Sequence, residues 1–229
     1  MTTRRGADEG VGREEVEGCR ACPFDKLAGS YDKKIDWDEL LMGIKRQRGK
    51  LMKNASGSVL EISAGTGRNL PHYPSWITSL TLTDISSPML QQAQAKRFPL
   101  PPSRVHFLPM DAQRLHFPDN SFDTVVDTFG LCSAPHPELI LSEMRRVCKK
   151  DGKILLLEHG RAQESGLVRS KVNAYLDRNL HSHVRKWGCW WNRDIRKLVR
   201  ESGYSVVEQK ESVFGTTYYY VASPNKGDP

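Results

Sequence analysis

The chain has 229 residues, with 34 lysines and arginines against 27 aspartates and glutamates, so its net charge is +7. This length suits one α/β domain with extensions and is enough to bury a sizeable hydrophobic core. No apolar run approaches the roughly 20 residues that a membrane-spanning helix requires, so the sequence predicts no such helix. The five cysteines are scattered and odd in number, which favours a reducing intracellular compartment over a disulfide framework.

Residues 1–23 are predicted to form a mobile tail. The first 18 residues mix three arginines with five acids and contain no apolar core, so neither a transit peptide nor a secretory signal is expected. Cys19 and Cys22 have the spacing of zinc ligands, but no second close pair completes a tetrahedral set. No metal site is therefore predicted.

A helical segment is predicted over residues 24–56. Asp36 and Glu39 resemble a capping box, which indicates that a helix starts at Asp36. The apolar residues that follow have helical spacing and predict one buried stripe, formed by Trp37, Leu40, Leu41, Ile44, Leu51 and Met52. The same segment carries a basic run over residues 45–50, which is predicted to be either a solvated helix face or a contact surface for an anionic partner.

Strands and helices alternate over residues 57–160, the predicted core of the domain. Five strands are expected, over residues 59–62, 80–83, 105–108, 122–127 and 153–157. Helices are expected over residues 87–97, where Ser87 precedes a proline at the first helical position, and over residues 137–148. A turn is expected at residues 150–152, before the fifth strand. Such alternation implies a mainly parallel sheet with helices on both faces.

Residues 161–203 are predicted to form a basic helical cap, and residues 204–229 a strand pair that completes the sheet. Apolar residues at helical spacing predict one cap helix, through Val168, Val172, Tyr175, Leu176 and Leu180. A second helix is expected over residues 193–202. Residues 161–200 carry ten lysines and arginines against three acids, a balance that suits RNA, an anionic membrane, an acidic protein partner or plain solvation.

Two predicted strands end in acids and enclose a loop of small residues. Glu61 lies in the first of these strands, Gly65 and Gly67 follow it, and Asp84 ends the second strand. In a parallel sheet, small residues at this place let the backbone approach a ligand, and the second acid faces ribose hydroxyls across the same crevice. The pattern predicts a cofactor that contains a nucleoside.

NAD is one such cofactor, but two features of the chain disfavour it. The NAD fingerprint has a third glycine where this chain has Leu70. The chain also lacks the Tyr-x-x-x-Lys proton relay of the short-chain dehydrogenases. NAD is therefore disfavoured as the cofactor.

The order of four sequence features resembles the class I S-adenosylmethionine-dependent methyltransferases. These features are the Glu61-x-x-x-Gly65-x-Gly67 loop, Asp84, residues 109–112 and Phe122-Asp123-x-Val125-Val126. Within that class, residues 24–158 are most similar to the family of ubiquinone/menaquinone C-methyltransferases, methyltransferase type 11. Residues 188–194 and 216–220 resemble a methyltransferase-like branch with mitochondrial or membrane-associated members. The resemblance implies a Rossmann-like α/β fold, with a seven-stranded mainly parallel sheet, an antiparallel last strand and helices on both faces.

The resemblance also implies S-adenosyl-L-methionine as the cofactor, with residues 57–160 as its binding core. Glu61 would hold the ammonium group, Asp84 the ribose hydroxyls, and Asp111 with the Ala112 N–H the adenine. Met89 or Leu90 would pack on the adenine face. The predicted cofactor-binding set is Glu61, Ser63, Ala64, Gly65, Gly67, Asp84, Ile85, Met89, Asp111, Ala112, Thr128 and Phe129.

Methyl transfer needs an in-line acceptor and exclusion of water, and it needs a general base only where the acceptor is protonated. His159 directly follows the fifth predicted strand and is the first candidate for that base, because strand ends face the crevice. His181, His183 and Cys132 are further candidates, and Glu158 is predicted to orient a partner. The cap tryptophans are predicted either to bind a flat acceptor or to pack the cap on the core: Trp187, Trp190 and Trp191.

The resulting hypothesis is a methyltransferase that acts on a small lipophilic acceptor through carbon, oxygen or sulfur, and the acceptor class comes from the resemblance. Residues 128–131 lack the Asn/Asp-Pro-Pro-Tyr/Phe motif of many amino-group methyltransferases, which disfavours exocyclic amines. The alternative is a methyltransferase-like assembly factor that binds RNA or a protein complex through residues 161–200, with little or no catalysis. The expected compartment is the mitochondrion or the cytoplasm, and the resemblance favours the mitochondrion.

Overall fold

Helices and strands alternate along the chain, as the sequence pattern predicts. The computed structural model describes residues 24–163 and 166–227, so the predicted tail over residues 1–23 lies outside the described residues. The strands are β1 (Ser58–Ile62), β2 (Ser79–Asp84), β3 (Val105–Pro109), β4 (Phe122–Thr128), β5 (Cys148–His159), β6 (Ser205–Ser212) and β7 (Thr217–Ser223). The helices are α1 (Tyr31–Leu41), α2 (Ile44–Met52), α3 (Ser87–Gln94), α4 (Pro137–Val147), α5 (Gly166–Trp187) and α6 (Ile195–Glu201). None of these described helices is both long and apolar enough to cross a membrane.

The seven strands form one sheet in the order β3-β2-β1-β4-β5-β7-β6. Strands β1 to β5 are parallel, whereas β7 runs antiparallel to both β5 and β6. In the central register, Val59 of β1 lies beside Leu80 of β2 on one side and Thr124 of β4 on the other. The sheet confirms the predicted fold. The strand order reverses between β1 and β4, and ligands of open α/β sheets bind at the carboxyl edge beside such a reversal.

Both faces of the sheet are covered, because successive residues of a strand point to opposite faces. In β5, Leu155 and Leu157 pack with Leu51 of α2 in one core cluster, whereas Leu156 packs with Met144 of α4 in the other. All five side chains are fully buried. Burial of an apolar side chain of this size contributes about 1.5–3 kcal/mol. The two cores fix the strands and therefore the loops at their ends.

The N-terminal helical segment differs from the prediction. Helix α1 begins at Tyr31 rather than at Asp36, and Gly43, with a φ of 68°, separates it from α2. Asp36 and Glu39 therefore lie inside α1, where both bind Arg68 instead of capping a helix. Helix α2 packs on β5 and β7 while α1 packs on α2, so the α1 half of the predicted stripe is exposed at Trp37, Leu40 and Leu41.

Three smaller predictions are also corrected. The predicted turn at residues 150–152 lies inside β5, where the register against β4 shifts and the extra residues form a bulge. Helix α3 starts at Ser87 as predicted, but Pro88 is its second residue rather than its first, and the Oγ of Ser86 caps the helix by accepting the N–H of Met89. Of the five predicted stripe residues in α5, only Leu176 is buried, so this helix rests on the domain along a narrow face.

Candidate functional site

A cavity of about 450 Å³ opens at the carboxyl edge of the sheet, where β1, β2, β3 and β4 end. Its walls come from the loops after these strands, from α1 and α2, and from the end of α5. All predicted cofactor-binding residues except Glu61 and Gly67 line it: Ser63, Ala64, Gly65, Asp84, Ile85, Met89, Asp111, Ala112, Thr128 and Phe129. The fold therefore brings together residues from four separate parts of the sequence.

Asp84 ends β2, and two backbone groups fix its carboxylate in the cavity wall. The N–H of Gly65 donates to Oδ2 at 2.7 Å, and the N–H of Ser86 donates to Oδ1 at 2.8 Å. Burial raises the pKa of the Asp84 carboxyl group, while the two N–H donors act in the opposite direction. Each carboxylate oxygen has a second lone pair, so Asp84 retains acceptor capacity for the hydroxyl groups of a ligand.

The two glycines of the loop after β1 have different surroundings. Gly65 has a φ of 55°, and a Cβ built there meets no atom within 4 Å, so the loop leaves free space at this point. Gly67 has a φ of 74°, and a Cβ there would lie 2.6 Å from Leu70 and 2.9 Å from Ala93 of α3. Gly65 therefore suits close approach of a ligand, whereas Gly67 lets the loop pack against α3.

The loop after β3 supplies another wall of the cavity. Oδ1 of Asp111 accepts the N–H of Gln113 at 2.9 Å, and the side-chain amide of Gln113 lies 3.2 Å from both carboxylate oxygens. Ala112 and Met89 line the same cavity and are almost fully buried. This wall offers a carboxylate and an apolar side chain to a flat ring.

Glu61 does not line the cavity. Its Oε1 accepts the side-chain amide of Asn69, and its Oε2 accepts the hydroxyl of Tyr73, each at 2.8 Å. Burial raises the pKa of Glu61 to about 7, although both donors act in the opposite direction. The role of Glu61 as a partner for an ammonium group stays a prediction, and its observed contacts brace the loop after β1.

Arg48 of α2 is a buried cation, whereas the sequence pattern placed it in an exposed basic run. Its guanidinium donates to Glu39 at 2.8 Å, and its Nη1 donates to Asn69 and to Thr128 at 2.9 Å each. It also lies over the ring of Phe129, 5.0 Å from the ring centroid. A signal for its burial exists in the sequence, because Arg48 shares one face of α2 with Ile44, Leu51 and Met52.

Arg68 connects the loop after β1 to α1. Its Nη1 contacts Asp32 at 3.2 Å and Asp36 at 2.7 Å, and its Nη2 contacts Glu39 at 2.8 Å. Burial alone raises the pKa of Glu39, but Arg48 and Arg68 outweigh burial and hold that pKa below its usual range. Since three acids of α1 bind one loop residue, α1 is held over the site.

The segment before α1 and the first residue of α1 also contribute to the cavity, and neither was predicted to have a role in the site. Phe24 and Tyr31 line the cavity and meet edge to face, with 6.5 Å between ring centroids. The Oγ of Ser86 donates to Asp25 at 2.5 Å, which ties this segment to the start of α3. Burial raises the pKa of Tyr31, so its hydroxyl stays protonated. Phe24 precedes the first helix, so no helical periodicity could have marked it.

The turn after α5 covers the cavity from the cap side. Trp190 lines the cavity, and its backbone N–H donates to the carbonyl of Cys132 at 2.7 Å. Nη1 of Arg193 donates to the carbonyls of Leu131 at 2.6 Å and Ala134 at 2.7 Å. One of the predicted basic cap residues therefore braces the loop after β4 instead of facing an anionic partner.

Trp191 packs the cap rather than lining the cavity. Its Nε1 donates to the carbonyl of Leu176 at 3.0 Å, and its ring stacks on His183 with 3.7 Å between centroids. Burial lowers the pKa of His183 to about 4, so this imidazole is neutral at neutral pH. His181 is exposed on the same helix. Neither histidine is placed among the residues that line the cavity.

His159 ends β5 and does not line the cavity. Its ring packs on Phe129, which does line the cavity, with 4.3 Å between centroids. Beside it, Glu158 accepts the N–H of Cys132 at 3.2 Å, and Cys132 is fully buried. The role of His159 as a general base stays a prediction.

The fold and the cavity define a class of protein, a Rossmann-like α/β domain with a cavity at the reversal between β1 and β4, where ligands of such sheets bind. Residues 60–156 match the family model described as "Methyltransferase domain" (Methyltransf_11). A phosphatidylethanolamine N-methyltransferase from Cereibacter sphaeroides is 42% identical over 169 residues, which cover 72% of this chain and 78% of that protein. The chain therefore belongs to this family of class I S-adenosylmethionine-dependent methyltransferases.

Other similar proteins share different portions of the chain. The mitochondrial methyltransferase OMS1 of Saccharomyces cerevisiae is 34% identical over 223 residues, covering 90% of this chain and 46% of OMS1, so this chain spans about half of that protein. A demethylmenaquinone methyltransferase from Renibacterium salmoninarum is 34% identical over 165 residues, covering 70% of this chain and 66% of that protein. A chain from the complex between the Haloferax volcanii Trm112 methyltransferase activator and a methyltransferase has a TM-score of 0.66 at 20% identity. It covers 90% of this chain and 98% of its own length, and it shows the same fold.

Proposed function

We propose that the chain transfers a methyl group from S-adenosyl-L-methionine to a small lipophilic acceptor. The observation that carries the proposal is the cavity beside the reversal between β1 and β4. There the Asp84 carboxylate is fixed by the N–H groups of Gly65 and Ser86 and retains lone pairs for ligand hydroxyls. Family membership supports the same cofactor.

The residues present fit this cofactor. Asp84 would accept the ribose hydroxyls, and the free space beside Gly65 would admit the amino-acid portion without a Cβ clash. Asp111 and Met89 would hold the adenine by one hydrogen-bond acceptor and one apolar face. When bound, the cofactor supplies an electrophilic methyl group on its sulfonium sulfur.

The chain's own contribution is to orient the acceptor and exclude water. The wall between the loop after β4 and the cap is mainly apolar, and it is formed by Phe129, Ile140, Val184 and Trp190. Tyr31 adds a protonated hydroxyl to this side of the cavity. Such a wall favours a flat or aliphatic acceptor. Holding the acceptor in line with the methyl group lowers the entropic part of the reaction barrier.

The names of the relatives widen the acceptor classes that we propose. One relative is named for phosphatidylethanolamine, a lipid amine, and another for demethylmenaquinone, a quinone. We therefore add a lipid amine to the carbon, oxygen and sulfur nucleophiles predicted from the sequence. The mitochondrial name of OMS1 supports a mitochondrial location for this chain.

An exposed apolar patch supports delivery of the acceptor from an anionic membrane surface. The patch consists of Trp37, Leu40, Leu41 and Met42, which are 71%, 60%, 77% and 51% exposed. It belongs to α1, whose first residue lines the cavity. Four exposed basic side chains flank it, Lys33, Lys34, Lys45 and Arg46, beside the exposed acids Asp36 and Asp38. Apolar side chains ringed by lysine and arginine are typical of interfacial binding to anionic lipid.

The alternative of an RNA-binding assembly factor has less support from the structure than from the sequence. In the basic region over residues 161–200, Arg169 and Arg196 both pair with Glu211, and Arg193 binds backbone carbonyls. Internal pairing of this kind reduces the charge that the cap presents to a polyanion. We therefore rank the enzyme first.

Methyl transfer into an organic phase tests the proposal. Purified chain would be incubated with S-adenosylmethionine labelled in the methyl group and, in separate reactions, phosphatidylethanolamine, a short-chain demethylmenaquinol or an alkyl thiol. We expect label in the organic extract of one reaction, at least about tenfold above the Asp84→Ala variant. A folded chain that binds the cofactor and labels none of these would contradict the enzyme and favour the assembly factor.

A further inference from the structure

Two cysteines and one histidine from distant parts of the sequence meet beside the cavity. Cys132 follows β4, His159 ends β5, and Cys189 follows α5. The Sγ atoms of the two cysteines lie 3.2 Å apart, and the donor atoms of all three residues lie within 4.8 Å of one another. Both cysteines are buried, and His159 is partly buried. These three residues are the Cys2His cluster.

Backbone hydrogen bonds fix the cluster from two sides. The N–H of Cys132 donates to Glu158 of β5 at 3.2 Å, and the carbonyl of Cys132 accepts the N–H of Trp190 at 2.7 Å. The first bond ties the loop after β4 to the strand that carries His159. The second ties that loop to the turn that carries Cys189. The positions of both thiols are therefore set by the fold itself.

The donor set is the one that zinc prefers, since thiolate sulfur and imidazole nitrogen are its commonest protein ligands. Ligand atoms of a tetrahedral zinc site lie about 3.3–3.8 Å apart, so the two sulfurs need to separate by only about half an ångström. Two thiolates neutralise Zn²⁺, and the occupied cluster would bury no net charge.

We propose that the Cys2His cluster binds one Zn²⁺ through three protein ligands, with an open fourth position. Three protein ligands are typical of zinc sites that keep a position for water or a small ligand. The ion would join the turn that carries Trp190 to the loop that carries Phe129, and so fix two walls of the cavity. This site is separate from the proposed cofactor contacts and does not depend on methyl transfer.

Metal content of the purified full chain tests the proposal. The chain would be prepared with a non-chelating reductant, exposed to Zn²⁺, desalted and analysed for zinc by mass spectrometry. We expect about one zinc ion per chain, and a loss of at least about tenfold in zinc affinity for Cys132→Ser, Cys189→Ser and His159→Gln. The matched control is Cys148→Ser, since Cys148 is also buried but lies at the start of β5, outside the cluster.

Cys19 and Cys22 lie outside the described residues and also have zinc-ligand spacing, so they require their own control. The double variant Cys19→Ser, Cys22→Ser is expected to retain the zinc. Loss of all zinc in that variant would contradict the proposal and assign the metal to the tail.

Cobalt binding keeps the test informative if a cluster variant fails to fold. Metal-free wild-type chain titrated with Co²⁺ is expected to show thiolate-to-cobalt absorption and the intense visible bands of tetrahedral cobalt, saturating near one equivalent. No such spectrum from folded wild-type chain would overturn the proposal. A disulfide between Cys132 and Cys189 that persists in the reductant, in a chain that takes up no zinc, would overturn the proposal as well.

Discussion

At the scale of single residues, Arg48 has the largest share of buried polar contacts around the site. It joins Glu39 of α1 to Asn69 and to Thr128, which lines the cavity. Arg48 is only 5% exposed, so these partners and the ring of Phe129 offset the desolvation of its charge. The residue therefore fixes α1 and α2 over the end of the sheet.

Replacing Arg48 by methionine is expected to lower the free energy of unfolding by about 3 kcal/mol. The substitution leaves Glu39 with one cation fewer and leaves the buried amide oxygen of Asn69 without its donor, whereas Thr128 keeps the Asn69 amide as a donor. The measurement is urea unfolding at neutral pH. The control is Arg46→Met on the exposed side of the same helix, for which a change within about 0.5 kcal/mol is expected. Equal effects of the two substitutions would show that the buried contacts of Arg48 contribute nothing.

The raised pKa of Glu61 predicts that the stability of the folded chain depends on pH. Its pKa in the folded chain is about 7 because burial disfavours the charged form, against an ordinary value near 4.5. Between these two values the folded chain binds more protons than the unfolded chain, so stability falls as pH rises.

The expected size of this effect follows from the shift. The stability of wild type relative to Glu61→Gln should fall by about 3 kcal/mol between pH 4.5 and pH 8. Urea unfolding of both chains across this range measures the difference. A difference that stays constant over the range would contradict the assignment of a raised pKa to Glu61.

At the scale of elements, the loop after β1 combines one glycine for the ligand with one glycine for packing. Gly67→Ala is expected to lower the free energy of unfolding by about 2 kcal/mol, because its Cβ meets Leu70 and Ala93. Gly65→Ala costs about 1 kcal/mol, since its φ is positive but its surroundings are open. Calorimetric titration should show the opposite order for cofactor affinity, with the larger loss at Gly65. The reverse pattern would contradict the assignment of these two roles.

The strand elements were predictable, and the packing of the N-terminal helices was not. The short run 59–62 is mostly apolar and is buried on both faces of a parallel sheet, so composition marks it as a strand. Helix α1 has apolar residues at helical spacing that face solvent, because α2 occupies the sheet face beside β5. Periodicity shows that a helix has an apolar face, but it does not show which surface that face meets.

The residues of the site also divide into those that the sequence predicts and those that it does not. Asp84, Asp111 and Gly65 follow strands, so the topology alone placed them at one edge. Arg48, Tyr31 and Arg68 reach the site through tertiary contacts between α1, α2 and the loop after β1. Such contacts depend on where helices dock, and no local sequence spacing encodes that. For these residues the sequence offered one signal, the position of Arg48 on the apolar face of α2.

At the scale of the whole molecule, one edge of the sheet combines the cavity with the exposed patch of α1. Gln47 of α2 donates to Ser212 at the end of β6, at 2.9 Å, which places the start of α2 at the carboxyl edge. Trp76 is also exposed, but it donates to Ala55 just before β1, at the opposite edge. The two edges therefore provide a matched pair of exposed tryptophans.

Trp37→Glu is expected to reduce binding to vesicles of phosphatidylcholine and phosphatidylserine by about tenfold or more, since a charged side chain replaces a large apolar one. Trp76→Glu is the control and is expected to leave vesicle binding unchanged. Co-sedimentation with vesicles at low and at physiological salt measures both, and the electrostatic part should weaken with salt. Equal losses for the two variants, or no binding by wild type, would contradict the proposed membrane surface.

We propose that the cavity at the end of β2 binds S-adenosylmethionine through Asp84. Calorimetric titration of S-adenosylhomocysteine into wild type, Asp84→Ala and Asp151→Ala tests it most directly, since Asp151 is an exposed acid at the opposite edge. We expect binding by wild type and Asp151→Ala, and a loss of affinity of about 100-fold for Asp84→Ala, as removal of two charge-assisted hydrogen bonds implies. Equal affinity in all three chains, or no binding by folded wild type, would contradict it.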